Sequence, residues 1–114
     1  MKKWLLNVVF LCLATSIQAA PKATEAETHA YRVTMKEAGD ALKNHQAKAA
    51  FNKILPVAKK GFVEAQYVIA TMYHDGEGTT QDLAAAKKWY EAAANQSENP
   101  EVATLAREGL EELK

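Results

Sequence analysis

Residues 61–94 read GFVEAQYVIATMYHDGEGTTQDLAAAKKWYEAAA, and this stretch decides the fold. Its first part places Ala65, Ile69, Met72 and Tyr73 on one face of a helix expected over Val63–His74. DGEG at 75–78 then breaks the pattern with two glycines, which reverse a chain at no steric cost. Thr79 with Asp82 fits the S/T-x-x-D/E start pattern, so a second helix is expected from Thr80 to about Asn95. Its stripe holds Leu83, Ala86, Trp89, Tyr90 and Ala93. Small residues at Ala65, Ala70, Ala86 and Ala93 let two helix axes approach to about 8–10 Å. Tyr67, Tyr73, Trp89 and Tyr90 fill the space beside them, with polar tips that find partners at the edges. The stretch is a helical hairpin.

Upstream, Glu27–Lys43 spaces Ala30, Thr34, Ala38, Ala41 and Leu42 at helical steps. Asn44 is the expected left-handed stop, and Gly39 is a weak point where a break is expected if one occurs. Gln46–Lys60 carries Ala47, Ala50, Phe51, Ile54, Leu55 and Ala58, with Pro56 expected to kink it and Lys59, Lys60 and Gly61 to close it. Downstream, Asn99 and Pro100 form a cap and first-turn pair for a last helix, Pro100–Leu113. Leu105, Leu110 and Leu113 are read as its inner face, and Glu108, Glu111 and Glu112 as its wet one. No period-2 pattern occurs, so the chain is all-α: about five helices in a short α/α solenoid of stacked hairpins.

The 61–94 stretch resembles the Sel-one-like repeat, a helical-hairpin family related to the tetratricopeptide repeat. The resemblance rests on Gly61, Ala65–Gln66–Tyr67, Ala70, Met72–Tyr73, Gly76, Gly78, Asp82, Ala86, Trp89–Tyr90 and Ala92–Ala93. It implies a degenerate hairpin at 27–60, a clear repeat at 61–96 and a capping helix at 97–114. Val68 stands where the family commonly has Asn, Thr79–Thr80 replace Val-Pro, and Ser97 replaces the Gly that ends the unit.

Lys2 and Lys3 precede the apolar run Trp4–Ala14 and the polar, small-residue stretch that follows. That order is the plan of a cleaved secretory signal, expected over 1–19 with cleavage after Ala19 and a loose leader at 20–26. The run is too short to span a membrane, which takes about 20 residues. Removing it takes away the only Cys, Cys12, and two lysines, moving the net charge from zero to −2. A periplasmic or secreted product is expected, with no stable membrane anchor.

Charge balance argues against nucleic acid, which asks for a basic face. Asp75, Glu77 and Asp82 lack the alternation and closing Glu of a calcium loop. His29, His45 and His74 sit on three segments with no H-x-x-x-H pair for zinc. No nucleophile motif, P-loop or dinucleotide fingerprint is present. Neither metal nor cofactor is expected, and the chain is not expected to be an enzyme.

The resemblance implies an exported adaptor of the bacterial envelope that binds a protein or peptide on a concave helical face. Arg32, Glu64, Val68, Thr71 and His74 are the candidate protein-binding residues, Arg32 and Glu64 as polar anchors and Val68 and Thr71 as contact area. The alternative expectation is an immunity-type inhibitor of a toxin delivered into the envelope. A hydrolase of cell-wall-like substrates ranks lower, since the related cysteine-rich subgroup depends on Cys pairs that are missing here.

Overall fold

The structure, a computed structural model, describes residues 23–96 and 98–114. The expected signal segment with its cleavage point, the first leader residues and Ser97 lie outside the described residues. Five helices follow one another: α1 Glu25–Lys43, α2 Ala47–Lys59, α3 Val63–Asp75, α4 Leu83–Ala94 and α5 Pro100–Glu112. Each packs on the next, and α5 also touches α3. This is the short helical solenoid that the spacing predicts, with no strand among the described residues.

Local chemistry sets the boundaries. The first helix begins at Glu25, inside the stretch expected as leader, because Thr24 and Glu27 form a reciprocal capping box. The Glu27 N–H donates to Thr24 Oγ1 at 3.1 Å, and the Thr24 N–H donates to Glu27 Oε2 at 3.0 Å. Gly39 does not break α1, and His45 rather than Asn44 takes the left-handed conformation beyond it, at φ 61°. Pro56 lies inside α2 on its exposed side, where the missing N–H costs a bond that faces water. Asn99 caps α5 through Val102 N–H at 3.2 Å, with Pro100 in the first turn as its chemistry predicts.

The start of α4 differs from expectation. Asp82, not Thr79, is the N-cap, accepting from Ala85 N–H at 3.0 Å, so α4 begins at Leu83. The loop from 76 to 82 is instead used to close α3. Gly76 takes φ 68° and donates to the Met72 carbonyl, as does the Glu77 N–H. Asp82 N–H reaches the Tyr73 carbonyl at 2.9 Å and Gln81 Nε2 the His74 carbonyl at 2.8 Å. The last carbonyls of α3 are thus satisfied by its own following loop.

Two buried clusters share α3. Ala38, Phe51, Ile54, Val57, Ile69 and Met72 form the first, between α1, α2 and α3. Ala70, Ala86, Tyr90, Ala93 and Ala106 form the second, between α3, α4 and α5, while Tyr73 and Trp89 pack against both. Ala65, Ala70, Ala86 and Ala93 are fully buried where helices approach. Three residues expected inside are exposed: Ala30, Leu83 and Leu105. In α1 the expected stripe holds at Thr34, Ala38, Ala41 and Leu42, and Tyr31 and Met35 join it against the core while Ala30 stays outside.

Candidate functional site

Helix α3 is flanked by α2, α4 and α5, and one of its faces is left over. Glu64, Val68, Thr71 and Asp75 recur at four- and three-residue steps and so share a stripe. Glu64 and Asp75 are exposed and Val68 and Thr71 half-buried, while Ala65, Gln66, Ile69, Ala70 and Met72 line the opposite, buried side. Three of the sequence candidates, Glu64, Val68 and Thr71, therefore stand on one outward stripe. Val68 rests partly against the first core cluster, and the Thr71 hydroxyl donates to the Val68 carbonyl at 2.7 Å.

The other two candidates are placed differently. Arg32 is exposed on α1, next to Tyr31, and makes no ion pair among the described residues. His74 is drawn into the hairpin: its Nδ1 lies 3.0 Å from the Tyr90 hydroxyl, and the two rings meet edge to face. Tyr90 is only 2% exposed. Burial is the main reason that its phenol is pushed up to about 12, with smaller contributions from Tyr67, Glu112 and Asp75. His74 is half-buried, with its ring engaged by Tyr90 across the hairpin.

The amino end of the α3 stripe opens onto a cavity of about 350 Å³. The α2–α3 junction supplies Lys60, Gly61, Phe62 and Val63, and the α4–α5 junction supplies Gln96, Glu98 and Asn99. From α1 comes Tyr31, whose ring stacks on Phe62 with centroids 4.2 Å apart and an interplanar angle of 3°. Its hydroxyl donates to Glu64 Oε2 at 3.0 Å, holding the carboxylate against the aromatic pair. The phenol's pKa is raised above the usual tyrosine value, first by burial, then by the Glu64 charge and the bond to it.

Behind the cavity runs a polar network that sequence reading missed. Gln66 is 8% exposed and donates through Nε2 to the Ala58 carbonyl at 3.2 Å, meeting an acceptor in the last turn of α2. Gln96 Nε2 donates to Gln66 Oε1 at 2.7 Å and to the Gly61 carbonyl at 2.9 Å. Gln96, just past the end of the second hairpin, is thus tied to Gln66 on α3, 30 residues earlier, and to the α2–α3 junction at Gly61, 35 residues earlier. The available signals were a glutamine in an otherwise small and apolar helix face and its place in the Ala65–Gln66–Tyr67 stretch that carries the family resemblance.

A second cavity, of about 630 Å³, lies between α4 and α5 against Leu110 and Leu113, with Lys87, Arg107 and Lys114 facing Glu91 and Glu111. Its rim charges are of both signs and its floor is the end of the stack. Among the described residues there is no group of three His, Cys, Asp or Glu able to hold a metal ion. No helix among them is long and apolar enough to cross a membrane.

No curated protein and no solved structure matches the chain at a significant level. A family model does match, over residues 63–98, and its description is the Sel1 repeat. That span begins at the first residue of α3 and runs through α4 into the junction that lines the smaller cavity. The hairpin of α3 and α4 is a Sel1 repeat, carried between an α1–α2 hairpin and a single closing helix, α5.

Proposed function

We propose that this chain is an exported adaptor that binds a partner protein of the bacterial envelope along the outward stripe of α3. Sel1 repeats generally mediate protein–protein interaction, and Sel1-repeat proteins are typically non-catalytic scaffolds. The observation that carries the reading is the Glu64, Val68 and Thr71 stripe on the helix that both buried clusters share. A helix held on several sides presents its remaining face with little conformational freedom, so a partner loses less entropy on docking there. The Lys2–Ala19 pattern of charge, apolar run and small residues supports export.

The test is photocrosslinking in intact cells from two positions, Thr71 on the stripe and Lys48 on the exposed side of α2, followed by mass spectrometry of envelope and cytoplasmic fractions. A discrete adduct from Thr71, absent from Lys48 and lost when Val68→Asp is added, is the expected result. Equal adducts from both positions, no adduct at all, or a product confined to the cytoplasm would overturn it.

A further inference from the structure

The smaller cavity has a chemistry of its own. Gln66 must turn its NH2 toward the Ala58 carbonyl, which leaves its Oε1 as an acceptor. Gln96 must then present its NH2 to both Gln66 Oε1 and the Gly61 carbonyl. The network therefore fixes which way the Gln96 amide points, and the end left for a ligand is a carbonyl oxygen. Glu64 is pinned through one carboxylate oxygen by Tyr31, which leaves Oε1 as a second acceptor. Glu98 adds another carboxylate, and among the described residues Lys60 is the one cation on the rim. Two negative charges against one positive, beside a stacked Tyr31–Phe62 pair, match a planar, donor-rich cation.

We propose that this cavity receives an arginine side chain from an extended segment of the partner protein, its guanidinium lying against the Tyr31–Phe62 pair and donating to Glu64. The proposal rests on the partner-binding reading above and names the chemistry of one contact within it. A guanidinium offers five N–H groups in one plane, enough to meet a carboxylate while stacking on a ring. An anionic side chain would face Glu64 and Glu98 at close range, and an apolar one would strip water from those carboxylates without replacing it. An α-helix, about 10–12 Å across with its side chains, is too wide to enter a space of about 350 Å³.

The experiment titrates the tripeptide Ac-Gly-Arg-Gly-NH2 into the 15N-labelled protein, with citrulline, lysine and leucine in place of arginine as comparison probes. Saturable shifts at the amides of Gly61, Phe62, Glu64 and Gln96 are expected, with a dissociation constant in the millimolar range for so small a probe. The citrulline peptide, equal in shape but uncharged, is expected to bind about tenfold more weakly, and lysine in between. Glu64→Gln keeps an acceptor for Tyr31 and the fold, and is expected to weaken the arginine peptide about fivefold. Citrulline or leucine peptides binding as well as arginine would overturn the proposal, and so would shifts that ignore Glu64→Gln. If the Thr71 crosslink survives while the arginine peptide leaves the cavity amides unmoved, the partner reading stands and this inference falls.

Discussion

The two edges of the helical stack are built in opposite ways. At the edge of the 44–46 and 76–82 junctions, backbone is pressed on backbone. Gly78, at φ 76°, lies so close to α2 that an added Cβ would run into the Ala47 carbonyl and come within 3.1 Å of Met72 Cε. At the edge of the 60–62 and 95–99 junctions, side chains bridge the gap instead, through Gln66 and Gln96, and a cavity of about 350 Å³ remains. A junction sealed by glycine leaves no room for a ligand. One bridged by amides leaves both room and polar groups, and that is where Glu64 stands.

The comparison breaks most visibly at the closed edge. Gly78→Ala is expected to destabilise by about 3 kcal/mol, adding the left-handed penalty of a Cβ to the cost of forcing the loop away from α2. Urea denaturation reads this directly. A loss below about 0.5 kcal/mol would mean that the loop swings clear freely and that the edge is not sealed. Gly61 provides the contrast at the other edge, since its φ is 103° but nothing lies within 4 Å of its added Cβ.

At the open edge the expected effect is smaller. Gln66→Ala removes the donor to Ala58 and the acceptor for Gln96, and is expected to cost about 2 kcal/mol. It also releases the Gln96 amide from one of its two acceptors, so protection of the Gly61–Phe62 and Gln96 region from hydrogen exchange is expected to fall more than that of α4. Uniform loss of protection across all five helices would show that the network holds the whole stack and not one junction.

This difference between edges also governs what was legible from sequence. Helix existence and the hairpin order were readable because Ala, Leu and aromatic spacing is a local property. The Asn99–Pro100 start was readable because a cap needs only its next three residues. Thr79 misled because the Thr79–Asp82 spacing satisfies a capping box on paper, whereas Asp82 N–H is already committed to the Tyr73 carbonyl and Asp82 itself caps α4. In α1, alanines fall on both the inner and outer sides, so a stripe drawn through small residues was right at Ala38 and Ala41 but began on Ala30 and missed Tyr31. Glu64 was recoverable as an exposed charge on α3. The partners that make it a site, Tyr31 and Gln96, come from 33 residues before and 32 after, and no periodicity links such distances.

The least intrusive probe of the comparison uses two phenols, half-buried Tyr31 at the open edge and buried Tyr90 on α4 against His74. Burial raises both folded-state values above the ordinary phenol near 10, Tyr90 to about 12. Above pH 10 the unfolded chain ionises these groups and the folded chain does not, so stability is fully present below pH 10 and is lost as pH rises toward about 12. Neutral pH is untouched. Tyr90→Phe is expected to flatten part of this alkaline decline, measured as denaturation midpoints between pH 9 and 11, while also leaving His74 without its partner. Tyr31→Phe is expected to flatten a separate part and, by freeing the Glu64 carboxylate, to loosen the arginine peptide's contact with the cavity at neutral pH. If Tyr90→Phe altered peptide binding as strongly as Tyr31→Phe, the two edges would be coupled through α3 and could not be treated as one sealed and one receptive.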